Sequence, residues 1–298
     1  MDFGRALSKQ FIAELNRLHR DEDSWWHKIV EDDDVFILMR KNRVHALVNG
    51  GLLLQVDYPR GKLVCKTHEE FLSLRSEYNS YVILHEDRTS QGRRVQGLKG
   101  FAEHYEKVKR RIKLFTGTEK QVVQNLALSI GEVIDLEVGL EGDKKKGASR
   151  KGAQRIDMAG ISSEGKLVFL EVKLFDNSEI RSKGEPKIVG QLKKYEEMLS
   201  RYRRHILEGY KEQFGMYKEL EGSFFKSKNN RIGRIETLDL YPKARLIITG
   251  FDGSQQERLL PKIKERICRG VGWDDKTDDL IVTGNHKNLK RERLFKGV

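Results

Sequence analysis

The sequence predicts an α/β protein in which a mixed sheet flanked by helices is preceded by a small α+β domain with a mostly antiparallel sheet. Three observations carry this prediction. Short β-type runs crowd residues 35–86; a polar, turn-prone stretch, DRTSQGRRVQG, occupies 87–97; and from residue 118 the order becomes helix, three strands, helix, strand, helix. The expected domains are therefore 1–97 and 98–298.

The chain opens on an amphipathic helical pattern, MDFGRALSKQFIAELNRL. The runs VFILMRK, RVHALVNG, LLLQVDY and KLVCKT come next, broken at Lys41-Asn42, Gly50-Gly51 and Pro59-Arg60-Gly61, where Gly, Asn and Pro favour turns. A helix-like THEEFLSLRSEY and a strand, YVILHE, complete the first half. Residues 98–115, LKGFAEHYEKVKRRIKLF, have a helical period and a basic end, and predict a connecting helix. Thr118 suits the N-cap of a helix that keeps Val122, Val123, Leu126 and Ile130 on one face and stops at Gly131. The strand-like EVIDLEVGL, the loop EGDKKKGASRKGAQ, the strand RIDMAGIS, a turn at Glu164-Gly165 and the strand KLVFLEVKLF follow. Pro186 opens a helix to about Arg203 with Ile188, Leu192, Tyr195, Leu199 and Tyr202 along one face; then come ARLIITG, a helical stretch at 254–268 interrupted by Pro261, and LIVTG.

Composition narrows the function. Lys and Arg number 57 against 45 Asp and Glu, a formal charge of +12, which suits a polyanionic partner. The two cysteines, Cys65 and Cys268, are too few and too far apart for a zinc ribbon, a disulfide framework or a four-cysteine cluster, and are expected to be buried thiols. No run resembles a signal peptide or reaches membrane-spanning length, so the expectation is a cytoplasmic protein with no membrane partner.

The chemistry gathers on KLVFLEVKLF. Strand alternation puts Leu167, Phe169, Glu171, Lys173 and Phe175 on one face, so an acid and a base point the same way from an apolar strand. An unpaired buried charge costs several kcal/mol, which calls for a partner, a metal ion or a wet cleft. A simple Glu171–Lys173 ion pair on a half-exposed face would also answer. The preceding strand adds Asp157 through a short hairpin, so two carboxylates and one ammonium converge, a set that can hold a hard divalent cation through oxygen.

Ile156-Asp157 followed by Glu171-Val172-Lys173 resembles the PD-(D/E)XK nucleases, with Ile156 where that family usually has Pro. Gln191 and Tyr195, one helical turn apart, match the Gln-x-x-x-Tyr signature of the branch that includes helicase-linked and phage exonucleases. Glu119, on the inward stripe of its helix, matches the place where many members keep a further acid near the metal. The resemblance spans about residues 115–270 and implies a restriction-endonuclease-like core. It implies catalytic roles for Glu119, Asp157, Glu171, Lys173, Gln191 and Tyr195, with Asp157, Glu171, the Val172 carbonyl and Glu119 around Mg2+, for which Mn2+ would substitute. The implied activity is hydrolysis of DNA phosphodiester bonds, endonucleolytic slightly ahead of exonucleolytic, in restriction, phage defence or repair. The alternatives are an RNA-directed nuclease and a non-catalytic nucleic-acid-binding protein on the same fold.

Lys144, Lys145, Lys146, Arg150 and Lys151, with Arg155 just beyond, form a basic loop between two site-bearing strands and are expected to contact phosphates regardless of sequence. A second basic cluster, KVKRRIK at 107–113, and RYRRH at 201–205 with its interleaved Tyr202, are the expected extensions of the track. Residues 1–97 carry no acid cluster at metal-ligand spacing and are expected to bind DNA, a partner or a second copy of the chain as a homodimer.

Overall fold

The computed structural model describes residues 3–72, 81–86, 97–140, 154–182, 184–233, 235–274 and 276–298. By packing, the chain divides into two compact units, one of Gly4–Leu128 with Gly209–Gly233, the other of Met1–Phe3, Ser129–Glu208 and Arg234–Val298.

In the N-terminal unit the amphipathic opening becomes α1 (Lys9–His19), shorter than its apolar pattern because Ser8 caps it and accepts a hydrogen bond from Phe11 N. Ser24 likewise caps α2 (Trp25–Val30), which buries both Trp25 and Trp26. The apolar runs form β1 (Val35–Arg40), β2 (Arg43–Val48), β3 (Gly51–Asp57), β4 (Val64–His68) and β5 (Tyr81–Leu84), an antiparallel sheet in that order. The helix expected from Thr67 onward yields to this sheet at its start: Thr67 and His68 pair with Val82 and Tyr81, and only a 3-10 turn, Glu69–Leu72, follows. Residues 73–80 lie outside the described residues.

The expected connecting helix is two pieces, α3 (Leu98–Glu103) and α4 (Tyr105–Phe115), and α4 packs on β2 and β3. Next, α5 (Thr118–Ser129) is tied to the same sheet by one buried side chain. The Gln124 amide nitrogen donates to the carbonyls of Asp34 and Leu47, both at 2.9 Å, and its oxygen accepts from Gly50 N at 2.6 Å. Gly50 has φ 76, and a Cβ there would stand 2.5 Å from the Lys120 backbone, so this turn requires glycine. The first unit therefore runs to residue 128, not 97. The polar stretch at 87–97 interrupts the sequence pattern without ending the packed unit.

The other sheet contains β6 (Val133–Leu140), β7 (Gln154–Ile161) and β8 (Lys166–Leu174), an antiparallel meander. A tight turn joins β7 to β8: Ser162 Oγ accepts from Glu164 N and Lys166 N, and Gly165 adopts φ 81 where a Cβ would meet Thr237 O at 1.9 Å. After α6 (Ser178–Arg181) and α7 (Lys187–Arg201) come α8 (Arg203–Glu219) and α9 (Ser223–Ile232), which the sequence pattern had not suggested. Residues 209–233 belong to the first unit, where Tyr217 and Phe225 pack ring to ring and Phe225 reaches Trp26.

The chain returns with β9 (Asp239–Thr249), which adds to β8 in parallel. It continues through α10 (Gly253–Arg258) and α11 (Leu260–Val271) to β10 (Leu280–Thr283), parallel to β9, and ends near α12 (Arg291–Leu294). The strand order β10-β9-β8-β7-β6 puts β8 at the centre, and Leu167 to Lys173 are buried throughout. The half-exposed face of the alternative reading is therefore absent here, although its Glu171–Lys173 ion pair is present. Helix α7 packs on β9 and α11 on α7. The fold is α/β, with one antiparallel and one mixed sheet. Cys65 and Cys268 are buried, and burial pushes the Cys65 thiol up to about 12. Among the described residues no helix is long and apolar enough to cross a membrane.

Candidate functional site

The site is assembled where the β7–β8 ladder stops. Backbone register runs from Ile161 opposite Leu167 to Met158 opposite Leu170. One residue farther, the Asp157 carboxylate replaces the backbone as partner, its Oδ2 accepting from Val172 N at 2.8 Å. This fixes a half-buried acid beside the one peptide that separates Glu171 from Lys173.

Glu171 is 1% exposed and is held on both oxygens. Its Oε1 accepts from Lys173 Nζ at 2.8 Å and from Gln191 Nε2 at 2.9 Å, and its Oε2 lies 3.1 Å from the Tyr195 hydroxyl. Helix α7 delivers Gln191 and Tyr195 from one face, and they touch each other at 2.5 Å. The Tyr195 hydroxyl lies 2.5 Å from the Arg155 carbonyl as well, its one proton shared between that oxygen and Glu171 Oε2, so a fully buried ring joins β7, β8 and α7. Burial pushes the Tyr195 phenol well above its usual range and the Glu171 charge pushes it further, so it stays a neutral donor.

Lys173 carries a second carboxylate. Burial by itself would lower its pKa, but the charge of Glu171 and the hydrogen bonds that the ammonium donates to Glu171 and, at 2.9 Å, to Glu179 Oε2 hold it above the ordinary lysine range. Glu179 escaped the sequence reading. It stands in a single-turn helix after the strand, capped by Asn177, where no periodicity marks a residue as inward-facing. Its side chain is 39% exposed, so it is a surface acid reaching in to a buried base. A second unforeseen acid is Glu137 on β6, between Leu136 opposite Met158 and Val138 opposite Ile156, and thus across from Asp157. Its φ of 48 is left-handed, a conformation costing on the order of 1 kcal/mol or more outside glycine, and its carboxylate meets Arg155 at 3.5 Å.

Five of the expected residues, Asp157, Glu171, Lys173, Gln191 and Tyr195, thus form one linked group together with the Val172 peptide. Glu119 stands in the first turn of α5, in the N-terminal unit. Arg155 lies on β7 with an exposed side chain. Lys144, Lys145, Lys146, Arg150 and Lys151 lie outside the described residues.

Among the described residues no group of three or more His, Cys, Asp or Glu side chains is placed to hold a metal ion. The donors that do converge, two carboxylates beside a backbone peptide, are hard oxygens. They fit Mg2+, which keeps several waters and takes one or two carboxylates along with substrate phosphate, better than they fit a fully protein-made cage. No protein-family model matches the chain, and no curated protein or solved structure matches it.

Proposed function

We propose that the chain is a Mg2+-dependent deoxyribonuclease with a restriction-endonuclease-like core, acting in the cytoplasm and cutting within DNA in preference to trimming its ends. The observation that carries this reading is the Asp157 carboxylate anchored on Val172 N–H beside the buried Glu171–Lys173 pair. A buried ion pair contributes little net stability compared with apolar residues of the same volume, so a role in chemistry accounts for it better than a role in packing.

Asp157, Glu171 and the Val172 carbonyl would hold the cation. Bound there, Mg2+ would lower the pKa of a water and offset charge on the phosphate. Gln191 and Tyr195 keep the Glu171 carboxylate oriented. Lys173 neutralises Glu171, and were Glu171 to serve the cation, Glu179 would remain to hold the ammonium in place. The retained positive charge would then offset negative charge developing on a phosphate oxygen and orient the attacking water. Lys144, Lys145, Lys146, Arg150 and Lys151, with Arg155, would supply phosphate contacts.

The test is incubation of supercoiled circles, linear duplex, single-stranded DNA and RNA with Mg2+, Mn2+ or EDTA. Nicked and linearised circles are expected with either metal and not in EDTA. Asp157→Ala should abolish cutting in a protein that still folds, its melting temperature lowered only by the loss of the one hydrogen bond to Val172 N, about 1–3 kcal/mol. No metal-dependent cutting of any substrate, or equal cutting by the variant, would overturn the reading.

A further inference from the structure

Helix α4 of the N-terminal unit carries a line of side chains that its core does not use. Lys107, Arg111 and Phe115 follow one another at four-residue spacing and so share a face, with Leu114 beside the last. Leu114 is 80% and Phe115 55% exposed, and on the edge strand β5 Tyr81 is 57% exposed. Among the described residues few large apolar side chains are left in water, and these are not scattered. Phe115 lies 6.3 Å from the ring of Phe71, Phe71 lies 5.4 Å from His68, and His68 lies 5.2 Å from Tyr81. The row continues at its other end into charge, with the Arg111 guanidinium 5.8 Å from the Phe115 centroid.

The cations are not all absorbed by neighbouring acids. Lys109, on the inner face of α4, takes Asp32, Asp34 and Glu106. Lys107 and Lys113 are exposed, and Arg111 spends one N–H on the Glu70 carbonyl. A surface that leads from two cations onto four aromatic rings has the chemistry of a strand-binding platform: charge for the phosphates, ring faces for the bases. Duplex hides its base faces, so exposed rings favour an unpaired strand.

We propose that this row, Lys107 and Arg111 leading through Phe115 to Tyr81, binds single-stranded nucleic acid by base stacking. The proposal does not rest on the nuclease reading, because it concerns binding by the other unit.

The experiment measures fluorescence anisotropy of labelled oligothymidylate, oligouridylate and a matched duplex with the full chain in EDTA, so that metal-dependent cutting plays no part. Single strands should bind more tightly than duplex. Tyr81→Ala and Phe115→Ala, both at exposed positions, should each weaken single-strand binding about five- to hundredfold with unchanged melting temperature. Lys107→Ala should lower the slope of log affinity against log salt by about 0.7. Binding of oligothymidylate, oligouridylate or both more tightly than the duplex supports the proposal. Duplex binding equal to single-strand binding, or full affinity in the Tyr81→Ala, Phe115→Ala double variant, would overturn it. So would light scattering that shows a dimer of the wild type, lost in that double variant, since the row would then be a self-interface.

Discussion

Replacing Lys173 with Met tests the site through stability. The side chain is nearly isosteric, and what it removes is the ammonium 2.8 Å from Glu171 Oε1. The Glu171 side chain is 2% exposed, so the carboxylate is left charged and out of water, although Gln191 and the Tyr195 hydroxyl still contact it. Removing one member of a buried pair costs about 3–5 kcal/mol, and the two remaining contacts favour the lower end, about 3 kcal/mol. At about 2–4 °C per kcal/mol for a unit of this size, the melting temperature should fall by about 6–12 °C.

The pH dependence has a definite sign. In the wild type the folded pKa of Lys173 is raised, so its contribution is complete below the unfolded value of about 10.4 and is lost only as pH rises through the folded one. In the variant the lone carboxylate favours its neutral form, so the gap from wild type should narrow as pH is lowered from about 8 to about 5. Mn2+, which replaces the missing charge, should restore more stability to the variant than it adds to the wild type. Calorimetric melts at both pH values, with and without Mn2+, read all three effects. A melting temperature within about 1 °C of wild type would refute the reasoning.

Three further outcomes are expected. Glu179→Gln should change stability by less than about 1 kcal/mol, because the acid is partly exposed, yet slow single-turnover cutting at saturating Mg2+ more than KM changes, because Lys173 loses the carboxylate that the cation does not claim. Gln124→Leu leaves two carbonyls and one N–H without their partner and should lower thermal stability by on the order of 3 kcal/mol, read by circular dichroism. Burial would raise the Asp57 pKa, but Arg43, Gln55 and Lys66 together hold it below the usual carboxylate range, so its stabilisation of β2–β4 is present above about pH 4 and lost as pH falls through the folded value; Asp57→Asn should flatten that acid limb of the melting curve.

The parts of the site that could be read beforehand are those governed by a short period. Two-residue alternation put Glu171 and Lys173 on one side of a strand, four-residue spacing put Gln191 and Tyr195 on one side of a helix, and a hairpin turn brought Asp157 alongside. Glu179 has no such signal, since it stands in a single helical turn just after the strand it serves, too short to show a period. Glu137 is invisible for a different reason, as a left-handed residue inside a strand is imposed by the sheet around it. The antiparallel character of the first sheet was legible in its broken apolar runs. Its true extent was not, because Gln124 and the α8–α9 region join it through contacts between residues far apart in the chain.

That joining bears on how the protein is made. Asn16 on α1 donates to the Glu219 carbonyl and accepts from Glu221 N, and Arg20 pairs with Glu221. A ribosome that has released the first 128 residues has therefore delivered a sheet without its last wall, and must add the whole of β6 to α7 before α9 can arrive. Until then Trp26 and Phe36 lack Phe225 and Phe224, the rings they pack against in the folded unit. For the same reason, neither half is obtained by cutting the chain once: a fragment starting near residue 97 or 129 keeps 209–233 but loses the surface they cover, and a fragment ending at 128 exposes that surface.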